Sequence, residues 1–224
     1  MLALFNRTIN LLKWPSALVL AWFLPGFLGT FAQSLHRLGR QMRWTWPLVA
    51  GMVLFVFLYR RFWRRNRVLM WLWTFEHEAS HAVFAWMTGH RVTHFRVRAG
   101  SGLVKYRGHG NWLIHVAPYF FPLGLLFVLG ILLGMDLAQT RWGLLLIGFV
   151  LASTILHMVH EFHRDQPDLH EVGFAFAYFF IPAGNLATWG LFLFFVLQGP
   201  SGFGAWWWDC TRLNAVFWRT TGLL

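Results

Sequence analysis

The chain has 224 residues, 57% of them hydrophobic and 12% charged, with 24 phenylalanines and 15 tryptophans. That balance excludes an ordinary soluble domain and predicts a polytopic membrane protein built as one unit. The formal net charge of +11 rests almost wholly on arginine, in short segments between apolar runs, which suits anionic lipid headgroups and excludes a nucleic-acid partner.

Taken in order, a basic start with Arg7 and Lys13 leads to a first predicted span at about 16–31, interrupted by Pro25 and Gly26. Thr30-Phe31-Ala32 has the small residues of a signal-peptide cleavage site, but an uncleaved anchor is the expectation. After His36, Arg37, Arg40 and Arg43 comes a short second span at about 44–59. Arg60, Arg61, Arg64, Arg65 and Arg67, with Trp63 and Trp71 nearby, read as an interfacial anchor. A third span is predicted at about 68–88.

The third span contains His77-Glu78-Ala79-Ser80-His81. On a helix two histidines at i and i+4 share one face, where both imidazoles can hold one metal ion. Glu78 projects beside that ion and can take a proton from bound water. Glu76 adds another acid in the same turn, and ionisable groups inside a span are costly enough to imply function. The single cysteine, Cys210, excludes an intrachain disulfide, a zinc ribbon and an iron–sulfur cluster.

Past Gly89 the pattern changes to alternation. His90 to Arg98, a turn at Ala99-Gly100-Ser101-Gly102, and Leu103 to Tyr106 predict a β-hairpin. Its edge could pair with an extended peptide. A fourth span at about 112–134 holds His115, Pro118 and Pro122, which should break its hydrogen-bond ladder. A fifth is predicted at about 142–163 and a sixth at about 172–197, with the polar segment Glu161 to Glu171 between them. The tail carries Trp206-Trp207-Trp208 and should lie at the membrane interface.

A catalytic zinc site needs a third protein ligand. Asp168 ranks first, because it follows Pro167 and opens the sixth span; Asp165 and His160 come next. Asp168 could equally be a helix N-terminal acid favoured by the macrodipole. Glu161 could orient a ligand imidazole. His157, His160 and His163 drift around a helix and suit a water-lined polar face better than one ion.

The metal motif, the glycine at its helix end, Val92-Thr93-His94-Phe95-Arg96-Val97 with the Gly100-Ser101-Gly102 turn, and Ala117-Pro118-Tyr119 together resemble the site-2 protease family over about residues 70–190. The resemblance implies an intramembrane zinc metalloprotease with a three-span core and an aspartate ligand from its third core span. The family's Asn-Pro-containing, Leu-Asp-Gly-type motif for that ligand is absent, and Asp168 is the nearest stand-in. Asn185, or failing that Asn111, is the candidate to hold the oxyanion.

The expected fold is an all-α polytopic membrane protein of about six transmembrane helices with a β-hairpin after the third. Residues 1–66 would supply N-terminal spans and a basic interfacial segment, 67–198 a metalloprotease-like core, and 199–224 an interfacial tail. The expected activity is cleavage of transmembrane protein substrates with Zn2+ on His77, His81 and Asp168 and Glu78 as general base, in a bacterial inner membrane. Two alternatives stand beside it: a non-catalytic scaffold or subunit of a larger membrane complex, and a di-iron oxygenase built on histidine boxes.

Overall fold

The computed structural model describes residues 2–63 and 65–222; Arg64 of the basic run and Leu223 and Leu224 of the tail lie outside the described residues. Three helices come first: α1 (Leu2–Leu11), α2 (Lys13–Arg40) and α3 (Met42–Leu58), the last ending in a π-helical turn, Tyr59–Trp63. Pro25 costs α2 one rung of its ladder without ending it, so the first span is longer than the expected 16–31.

Helix α3 packs along α7 (Arg141–Glu161) at backbone contact. A Cβ on Gly51 would strike the Leu145 carbonyl, and one on Gly148 would strike the Leu48 carbonyl. Small residues facing each other in this way are how helices associate where lipid removes the hydrophobic drive. Leu48, Leu144, Ile147 and Leu151 are buried around the seam.

Helix α4 (Arg67–Met87) starts at Asn66, whose Oδ1 accepts the Val68 and Leu69 N–H groups at 2.8 and 3.2 Å. It ends at Gly89, whose φ of 80° lets the His90 N–H reach the Ala85 carbonyl at 2.8 Å. The next segment is the antiparallel hairpin β1 (Val92–Arg98) and β2 (Ser101–Tyr106). Its turn is tighter than expected: Arg98 pairs with Ser101, so only Ala99 and Gly100 lie outside the strands. The hairpin lies along α4, with the Gly100 N–H on Thr74 Oγ1 at 3.2 Å and Phe95 edge-on to Phe75.

The fourth predicted span is broken as its prolines imply. Helices α5 (Trp112–Phe120) and α6 (Leu123–Gly134) meet at 64° across Phe121-Pro122. Neighbouring helices satisfy the backbone groups freed there. Asn185 Nδ2 donates to the Tyr119 carbonyl at 3.0 Å, Thr188 Oγ1 to the Phe120 carbonyl at 3.3 Å, and the Gly124 N–H donates to Glu76 at 2.9 Å.

After α7 comes a short helix, α8 (Pro167–Val172), then α9 (Phe174–Gln198), a 3-10 turn at Gly199–Ser201 and α10 (Gly202–Thr220). The tail helix α10 folds back so closely that Gly202 abuts the Phe194 carbonyl. It also packs on α2, burying Trp206 against Phe27 and leaving Trp208 exposed.

Among the described residues four helical stretches are long and apolar enough to cross a membrane, or five if the bent α5–α6 pair is one span, so the expected count of about six is not confirmed. Helix α4 accounts for the difference. Its 21 residues are long enough, but they include Glu76, His77, Glu78 and His81. Those groups lower its hydropathy, and α5 and the hairpin cover the face that bears the histidines.

Candidate metal centre

Helical spacing puts His77 and His81 on one face of α4, and both side chains are buried. Their Nε2 atoms lie 3.2 Å apart. Asp168 Oδ2 stands 3.2 Å from His81 Nε2 and 3.6 Å from His77 Nε2. These three are the metal-competent cluster found among the described residues.

The separations can be tested against an ion. Ligand atoms about 2.0–2.1 Å from a tetrahedral zinc are about 3.3–3.4 Å from one another. The observed 3.2, 3.2 and 3.6 Å bracket that edge. His81 Nδ1 lies 2.8 Å from the Ile114 carbonyl, which can only accept, so Nδ1 carries the proton and Nε2 presents a lone pair to the cluster. The donor set therefore fits zinc.

Asp168 reaches this place by a route different from the expected one. It does not open the sixth span. It lies in the first turn of α8, which has Pro167 at its start and is parted from α9 by Gly173 at φ 81°. Its second oxygen, Oδ1, is 3.1 Å from His115 Nδ1 in the first turns of α5. Burial alone would push the Asp168 carboxyl up, but the imidazoles of His115, His77 and His81 outweigh it and hold the group well below the usual carboxylate range.

Glu78 is buried beside the cluster, under strand β2. Gly102 passes so close that any Cβ there would overlap the Glu78 carboxylate. The centre opens into a cavity of about 790 Å3, lined by Gly100 to Val104 of the hairpin, by His160 and Glu161 at the end of α7, and by His115.

The rival ligands fall elsewhere. Asp165 is exposed beside His163. His160 lines the cavity without joining the cluster, and His157 is stacked under Trp73 at 5.2 Å. The polar face expected of these three is thus split, with His157 inside. Glu161 Oε2 is 4.0 Å from His77 Nδ1, beyond hydrogen-bond reach, and accepts instead from Gln166. Neither oxyanion candidate lines the cavity. Asn185 is committed to the break in the fourth span, and Asn111 caps α5 while donating to Asn6 at 3.0 Å. Sequence reasoning missed His115 as a partner of Asp168; its sole signal was a histidine inside an apolar run.

A family profile described as Peptidase M50B-like matches residues 47–183, more than half the chain. The chain belongs to the site-2 protease family. The matched segment runs from α3 into α9 and holds every residue of the centre, while α1, α2 and α10 lie outside it. No curated protein and no solved structure gives a match. Membership and the apolar helices make this an integral membrane protein of metalloprotease type.

Proposed function

We propose that the chain is a zinc-dependent intramembrane endopeptidase that cleaves membrane-embedded protein substrates. The observation that carries this reading is the cluster itself: two imidazole nitrogens and one carboxylate oxygen at 3.2–3.6 Å, with a buried glutamate next to them. Zinc bound there would supply Lewis-acid chemistry, bringing the pKa of water at the site to about 7.

The chain's own residues do the rest. His77, His81 and Asp168 would hold the ion, and the hydrogen bond from His81 Nδ1 to Ile114 fixes one ring's tautomer. Glu78 takes a proton from the attacking water and passes it to the leaving amine. Strand β2 lines the cavity and offers backbone groups to an extended substrate. A transmembrane helix must unwind first, because its carbonyls are shielded by its own ladder. In this reading residues 67–198 form the catalytic core, 1–66 supply the N-terminal spans and a basic interfacial segment facing anionic headgroups, and 199–224 form an interfacial tail.

The test is Glu78→Gln in purified protein, assayed for metal and for cleavage of a model transmembrane peptide. The variant should keep about one zinc per chain while cleavage falls about 10²–10⁴-fold. A variant that cleaves at the parent rate would overturn the mechanism. Two irons per chain would point to the oxygenase reading instead, and a metal-free protein in stoichiometric complex with a partner to the scaffold.

A further inference from the structure

Asp168 uses its two oxygens differently. Oδ2 faces the two ligand histidines, whereas Oδ1 is held by His115 Nδ1 at 3.1 Å. His115 comes from α5, and neither helix that carries the other ligands contributes it. A carboxylate with a free second oxygen can chelate an ion through both and so take the position that water needs. One bound by a hydrogen-bond donor is kept to a single oxygen.

From this geometry we infer that His115 is a positioning residue, which holds the Asp168 carboxylate so that one oxygen ligates and the fourth position stays open. The inference rests on the metal-centre reading of Proposed function and adds to it a residue outside the zinc motif. The support for His115 is itself built into the fold. The Asn111 side chain accepts the Ile114 N–H at 3.3 Å, and Asn10 Oδ1 accepts the Trp112 N–H at 3.2 Å. The first turn of α5 is therefore tied to α1, and it presents both the Ile114 carbonyl to His81 and the His115 ring to Asp168. Loss of the imidazole should loosen one ligand without removing any.

The experiment compares metal binding of the full chain and of His115→Ala and His115→Asn, by competition with a chelator, and records the visible spectrum of each after cobalt substitution. Removal of a group that orients a ligand weakens binding about 10–100-fold, so His115→Ala should fall in that range and lose intensity in its tetrahedral cobalt bands. His115→Asn, whose amide N–H stands near the place of Nδ1, should bind within about threefold of the parent, a margin small beside the about 10–100-fold effect. Should His115→Ala not fold, His115→Phe fills similar space with no donor and serves the same comparison. Unchanged affinity and spectrum in the donor-less variant, or equal losses in the asparagine and donor-less variants, would overturn the inference. A parallel His77→Ala sample separates the two readings. If it keeps the parent's metal, the centre itself is wrong; if it loses metal while the His115 variants do not, only the role of His115 falls.

Discussion

Two sites in this molecule contain buried histidine and differ in chemistry. Around His90, at the end of α4, the ring lies 3.0 Å from Thr88 Oγ1, 2.9 Å from Asn6 Nδ2 and 2.9 Å from the His109 carbonyl. Its partners are amide, hydroxyl and carbonyl groups, and among the described residues no carboxylate shares the hydrogen-bonded set. Around His77 and His81 two ring nitrogens and a carboxylate oxygen point at a common centre. Burial is the same in both places, with His90 at 2% and His77 and His81 at 9% and 8% exposure. Burial therefore does not identify a metal centre; convergence of donors does. The first cluster ties α1 to the loop before α5, and the second brings together donors whose spacing fits a cation.

The largest effect that would break this comparison belongs to His81→Ala. It removes a ligand and should abolish both stoichiometric zinc and peptide cleavage, read by elemental analysis and by a transmembrane-peptide assay. A His81→Ala protein with full zinc would erase the distinction between the clusters. Next comes Gly102→Ala, which leaves every ligand in place but puts a methyl group where the Glu78 carboxylate sits. Displacement of a catalytic group by about 1 Å can cost about 10²-fold, so kcat should fall by that order while zinc content holds. Equal activity would mean that the strand does not set the position of Glu78. The smallest effect is expected from His90→Leu. It leaves buried polar partners unpaired, at a cost of about 1–3 kcal/mol, seen as a lower unfolding midpoint. Zinc per folded chain and cleavage per folded chain should stay at the parent level, which is how a structural histidine separates from a ligand.

How far these features could be read from the chain varies with the range of the interaction behind them. The pairing of His77 with His81 follows from helical period alone, and the break at Phe121-Pro122 from the missing proline N–H. The hairpin was visible in its alternation, although its turn closes two residues earlier than the glycines implied. Asp168 was legible as a candidate but not its setting on a separate helix. Asn185 illustrates the limit: a polar residue in an apolar span invited a catalytic role, and its amide is used on the Tyr119 carbonyl of another helix. His115 is 53 positions from Asp168, and no local pattern joins them.

The amino-acid order by itself determined the membrane class, the helix that bears the metal motif, the hairpin and the place where the fourth span breaks, because each depends on neighbours within a few positions. Only the tertiary structure decided which acid lies beside the two histidines, which further histidine contacts that acid, and which asparagines serve the backbone. Those assignments depend on distances between atoms from different helices, and such distances are set by how the helices pack.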